Sequence, residues 1–145
     1  MVCLLCLNAV AYAKFSLAVK PSGAINFGNN LDPDATPYLF NKFATFQVTN
    51  KNPGAVAEWF LTVAGQGNFA SLADPSRSIA LGQLEWKRSD TATYAPMTLS
   101  SARVASGTAI GVFSYDIDFR FNLTWNDPAA RDYRGTLEVT LTDTP

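Results

Sequence analysis

The sequence predicts an all-β protein built from two sheets packed face to face. Three observations carry this. Apolar and polar residues alternate with period two along several segments, which places one face of each strand in a core and the other in water. Clusters of Gly, Pro, Asn and Asp separate these segments. No long stretch carries the 3.6-residue period of an amphipathic helix, and nothing repeats at a fixed interval. One-sided alternation favours sheets with one wet face. The expected architecture is an immunoglobulin-like antiparallel β-sandwich of about seven to nine strands.

Residues 1–13 read MVCLLCLNAVAYA, an uncharged apolar run ending in Ala11-Tyr12-Ala13. Small residues flanking one position are what signal peptidase accepts, so the segment reads as a signal peptide cleaved after Ala13. A single β-sandwich domain then spans 14–145. Cys3 and Cys6 are the only cysteines and leave with the leader. Val2 and Leu5 are too large to mark a lipidated cysteine. Export permits disulfides without requiring them, and a chain of roughly 150 residues buries about 70% of its unfolded surface without staples. No later run approaches the ~20 apolar residues of a membrane helix.

The first strand of the mature chain lies in Lys14–Lys20, with Phe15, Leu17 and Val19 on one face, and ends at Pro21-Ser22-Gly23. Ile25 and Phe27 make a short second strand. Residues 29–42 read as a loop. Phe46 and Val48 alternate with Thr45, Gln47 and Thr49, and Trp59, Leu61 and Val63 with Phe60 and Thr62. Asn50-Lys51-Asn52-Pro53-Gly54 turns between them. Residues 64–78 read as a second loop. Leu84 and Trp86 mark a strand near 79–87, and short strands are expected near 94–99 and 109–113. Residues 88–108, rich in Ser, Thr and Ala, give the weakest pattern. From Tyr115 to Trp125 the alternation is strict, and it resumes from Tyr133 to Thr142. These two read as a long antiparallel hairpin. Gly135 falls on its apolar face, where a large aromatic can approach. The tryptophans at 59, 86 and 125 share the inward register and are expected in the core.

Composition excludes several function classes. There is no His, so Ser-His-Asp and Cys-His nucleophiles, His-ligated zinc and a histidine pH switch are out. A net charge of -1 lacks the basic excess of a nucleic-acid partner. The expectation is a protein that is not an enzyme.

Four fragments carry a resemblance: Ala24-Ile25-Asn26-Phe27-Gly28; Phe46-Gln47-Val48-Thr49-Asn50 leading to Pro53-Gly54; Trp59-Phe60-Leu61; and the terminal Tyr133-Arg134-Gly135-Thr136-Leu137-Glu138-Val139-Thr140-Leu141-Thr142. They resemble secreted bacterial surface β-sandwich proteins. The terminal run looks like the last strand of fimbrial and spore-coat-type subunits. Trp59-x-Leu61 looks like one half of a WxL cell-wall-binding domain. A second W-x-L is absent, since Trp86 and Trp125 are followed at +2 by Arg88 and Asp127, and the mature chain lacks the fimbrial cysteine pair. The resemblance implies class and location, secreted or at the cell surface.

Candidate sites are few. Asp116 and Asp118 lie on one strand face, about 6–7 Å apart at Cα. Paired carboxylates can cleave glycosides when a cleft raises one pKa, but beside Arg120 they read as a solvated strand face. Asp32, Asp34, Asp127 and Asp132 supply oxygens to two loops. They are weak calcium candidates, and plain turn chemistry accounts for them. No cofactor is expected beyond that calcium alternative. Asn122-Leu123-Thr124 is an incidental sequon. Most aromatics fall on inward positions. The exceptions, Tyr38, Phe40, Phe60, Phe69 and Tyr94, are the residues to consider for a ligand surface. Phe15, Leu17 and Val19 have the alternation of a strand donated to a neighbour's sheet.

The expected role is structural or adhesive, through strand edges and loops, with itself, other surface proteins or cell-wall polysaccharide as partners. The alternative is a carbohydrate-binding module, with or without calcium.

Overall fold

Alternation becomes paired strands throughout the computed structural model, which describes residues 2–11, 15–26, 31–51, 58–128 and 132–143. In chain order these are β1 (Val2–Ala11), β2 (Phe15–Lys20), β3 (Gly23–Asn26), β4 (Tyr38–Asn50), β5 (Trp59–Gly65), β6 (Phe69–Ser71), β7 (Ser78–Ile79), β8 (Leu84–Arg88), β9 (Ala95–Pro96), β10 (Ala102–Gly107), β11 (Gly111–Phe121) and β12 (Asp132–Thr142). Two 3-10 turns, Pro33–Ala35 and Leu81–Gln83, are the only helical pieces among the described residues. The chain is all-β.

Two sheets form. The first runs β10-β5-β12-β1-β3, with β6 continuing beside β12 and β7 outside it. The second runs β2-β4-β11-β8-β9. Among the described residues every pairing is antiparallel except one: β1 lies parallel to β12, matched from Val2↔Asp132 to Ala11↔Leu141. The apolar segment expected as a leader is therefore an interior strand of the first sheet, with Leu5 and Leu7 buried.

The core takes in most of the inward side chains that the period-two pattern predicts, joined by Leu5 and Leu7 of the segment expected as a leader and by Phe69 of an expected loop. Phe46, Val48, Leu84, Ile117, Phe119 and Phe121 of the second sheet face Leu5, Trp59, Leu61, Val63, Tyr133, Leu137, Val139 and Leu141 of the first. Burying each such side chain contributes about 1.5–3 kcal/mol. Aromatic contacts join the sheets. Phe69 meets Phe121 at 5.3 Å between ring centres, and Trp59 meets Phe113 at 5.5 Å. Phe69 fits only because residue 135 is glycine: a Cβ there would stand 2.5 Å from the Phe69 ring.

Several expectations are corrected. The described residues form twelve strand segments rather than seven to nine, because β6, β7 and β9 are too short to alternate visibly. β10 lies in the Ser- and Ala-rich stretch that gave no pattern. β4 begins at Tyr38, inside an expected loop. β11 and β12 do not form a hairpin. β11 pairs with β4 and β8 in one sheet, and β12 with β5, β6 and β1 in the other. Their dry faces meet across the core instead of lying side by side, since alternation fixes the buried face and not the neighbour. Finally, β11 stops at Phe121. The Asn122 N–H donates to the Gln83 carbonyl (2.9 Å) and the Leu123 N–H to Thr36 Oγ1 (3.0 Å). Leu123 still enters the core, but Trp125 turns outward and is 73% exposed.

Candidate functional site

Two groups of polar side chains stand out. The first is built by an irregularity. The β4–β11 register shifts between Ile117↔Ala44 and Phe119↔Phe40, so Asn41–Phe43 bulge opposite Asp118. Within the bulge Lys42 takes a left-handed conformation, φ 48°, which is uncommon for a non-glycine residue. Its N–H donates to Asp118 Oδ1 at 2.7 Å. The Ser89 hydroxyl donates to the same oxygen, and Lys87 Nζ lies 3.1 Å from Oδ2. Asp118 is only 5% exposed. Burial pushes its carboxyl up, but the Lys42 N–H, the Ser89 hydroxyl and the Lys87 ammonium together outweigh burial and hold it below the usual carboxylate range.

The expectation of a solvated Asp116–Asp118 face holds for half the pair. Asp116 is partly exposed, accepts from Thr45 Oγ1 (2.8 Å) and lies 3.9 Å from Lys42 Nζ. A hollow of about 280 Å³ beside it is lined by Lys42, Ser89, Asp90, Ser114, Tyr115 and Asp116. Asp118 is buried because Lys87 and Ser89, on and just after β8, cover it. A general acid needs a raised pKa, and Asp118 is shifted the other way. Its chemistry is that of a carboxylate securing a bulge.

Farther along the same sheet face, Tyr94 lies beneath two cations. Lys87 Nζ is 5.3 Å and the Arg120 guanidinium 4.6 Å from its ring centre. Arg120 in turn pairs with Glu85, which also accepts from Asn122 Nδ2 at 2.8 Å. The sequon asparagine thus spends its amide inside this network. The Arg120 hydrogen bond, working against burial, holds the Glu85 carboxyl below its usual range.

The five candidate aromatics do not form a platform. Phe69 is fully buried against Phe121 and Gly135, and so is corrected from a surface candidate to a core residue. Phe60 is also buried, since the Arg103 guanidinium covers its ring at 4.6 Å. Phe40 packs at the core margin against Phe43, 5.0 Å between ring centres. Tyr38 is half-buried, and its hydroxyl both donates to the Asp32 carbonyl and accepts from the Asp32 N–H. Tyr94 is occupied by its cations. Phe15, Leu17 and Val19 lie in β2, which pairs with β4 of the same chain from Phe15↔Asn50 to Lys20↔Thr45.

The second group is at the loop end where 31–38 meets 122–128. Trp125 Nε1 donates to Asp34 Oδ1 at 3.0 Å. Both loops are tied down. Asp32 Oδ1 accepts from the Asp34 N–H (2.9 Å), and Thr36 Oγ1 bridges Phe121 and Leu123. Asp127 Oδ2 accepts from the Thr124 N–H (2.6 Å), from Thr124 Oγ1 (3.1 Å) and from Gln83 Nε2 (2.8 Å). Sequence reasoning placed Trp125 in the core because its register continues that of β11. Asn126-Asp127-Pro128 was the available signal that the strand had ended.

The four candidate calcium residues hold loops in place. Asp132 accepts from Ser71 Oγ and the Ala73 N–H, both at 2.7 Å, and the Ser71 hydrogen bond leads in lowering its pKa. Among the described residues no three acidic or cysteine side chains gather in a way that could hold a metal ion. Nor is any helix among them long and apolar enough to cross a membrane. Comparison with protein-family models and with curated proteins finds no match.

Proposed function

We propose that this is an exported, non-catalytic immunoglobulin-like β-sandwich with a structural or adhesive role, at the cell surface or in an extracellular assembly. The observation that carries the reading is the position of β1. The segment with leader-like composition is also an interior strand, between β12 and β3. If export removes it after Ala13, the β12 edge loses its partner and the Leu5 and Leu7 sites open. Such a slot takes an alternating apolar strand from another chain, with main-chain hydrogen bonds supplying affinity and side-chain pockets register. Strand addition of this kind need not close on itself, so it builds chains of subunits. β2 serves less well as the exchanged strand, because it completes its own sheet.

The test is to export the full chain from a secreting host, read the N-terminus of the product by mass spectrometry, and measure its mass in solution over a range of concentrations. A product beginning at Lys14 that forms oligomers, and that reverts to monomer with a peptide of residues 2–11, supports the reading. A full-length chain that is monomeric at every concentration overturns it.

A further inference from the structure

Trp125 is the most exposed large apolar side chain among the described residues, and it is held still. Its indole N–H is fixed on Asp34, and its own turn is locked by the Asp127 carboxylate on Thr124. An exposed tryptophan with no task gains nothing from two sets of restraints. A binding tryptophan does, because a side chain already in its bound rotamer loses little entropy when a ligand arrives. No ring among the described residues stacks on it, so most of the indole surface is open. Asp34 is exposed beside it and accepts from the indole through Oδ1, and its Oδ2 has no hydrogen-bond partner among the described residues.

A flat apolar face beside a carboxylate oxygen is a chemical description of one kind of ligand. It must offer a planar patch of C–H groups bordered by hydroxyl donors. We propose that Trp125 and Asp34 form a subsite for a gluco-configured pyranose of a β-linked glycan. With every hydroxyl equatorial, such a ring presents axial C–H groups to the indole and directs hydroxyls sideways to the carboxylate. The extended β-linked chain can then run across the exposed loop end without entering a cleft. This goes beyond the assembly reading and does not need it, since the subsite lies on loops and uses neither β1 nor the β12 edge.

The site is tested by titrating the full chain with cellohexaose and with chitohexaose through the millimolar range. Tryptophan fluorescence is one readout, and saturation-transfer NMR on the sugar is a second that needs no tryptophan signal and so can be read in Trp125→Ala. Trp59 and Trp86 are buried, so the fluorescence change reports Trp125. The expected result is a saturable change with at least one hexaose. Trp125→Ala should abolish sugar saturation transfer while leaving the circular dichroism melt unchanged, and Asp34→Ala should weaken binding roughly tenfold, the scale of one charged hydrogen bond. Absence of a saturable change with both sugars overturns the proposal. So does undiminished saturation transfer in folded Trp125→Ala.

Discussion

Replacing Asp118 with alanine tests how the second sheet is held together. In the native chain this buried carboxylate accepts from the Lys42 N–H and the Ser89 hydroxyl and pairs with Lys87, whose own side chain is 15% exposed. Alanine takes the shared acceptor from all three donors, and of these Lys87 keeps the Thr91 carbonyl and the Tyr94 ring as partners. Removing one partner of a buried pair costs about 3–5 kcal/mol, a large part of the roughly 5–15 kcal/mol that holds a typical domain. At a urea m value of about 2 kcal/mol/M this lowers the unfolding midpoint by about 1.5–2.5 M. Asp118→Asn keeps an acceptor for the bulge and should lose about half as much. The wild type should also show a matching acid response. The folded carboxyl titrates below its unfolded value of about 3.9, so its contribution is complete above that pH. It is lost as pH falls through the depressed folded value, and the gap between wild type and Asp118→Asn should narrow over the same range. A midpoint shift in Asp118→Ala worth less than about 1 kcal/mol, or a gap unchanged by acid, would refute the reasoning.

Gly135→Ala should destabilise by about 1–3 kcal/mol, because the new methyl meets the fully buried Phe69 ring; chemical denaturation checks it, and the double variant with Phe69→Leu should recover part of the loss. Leu5→Ala should cost about 2–5 kcal/mol in any form of the protein that retains β1, and nothing in a form that starts at Lys14. Lys42→Gly keeps the N–H bonded to Asp118 and removes the left-handed strain, so it should be neutral or stabilising by up to about 1 kcal/mol. Asp127→Ala should speed amide exchange at Thr124 by about tenfold or more with a smaller change in global stability, since two of the three bonds it removes secure one exposed turn and the Gln83 amide keeps the Asn122 carbonyl as a partner.

The sequence made the strand faces legible and left their partners obscure. Phe46, Val48, Leu61, Val63, Leu137, Val139 and Leu141 all point inward as their alternation requires. Gly135 was legible too, because a glycine on an apolar face asks what approaches it. Pairing was not, since any alternating strand can neighbour any other. Hence β11 and β12 looked like a hairpin while lying in opposite sheets. The same blindness hid Asp118. Its register is outward, and only the neighbouring β8, with Lys87, makes that face a covered one. Trp125 failed for a more local reason: three hydrogen bonds to a single aspartate oxygen outweighed one more step of the period-two pattern. The 3-10 turn at Pro33–Ala35, which positions Asp34, is short enough that composition announced only a loop.

The parallel pairing of β1 with β12 also sets an order of events in time. Residues 2–11 are the first of the described chain to leave the ribosome, and their principal partner, residues 132–141, is nearly the last. Contacts so distant in sequence form late and slow the search for the native state. Until β12 has been made, the apolar N-terminal run has only the short β3 to pair with. While the intervening strands are being made it is therefore an unclaimed hydrophobic segment, open to whatever cellular machinery recognises such segments. Completion of the first sheet then depends on a race between that capture and the arrival of β12.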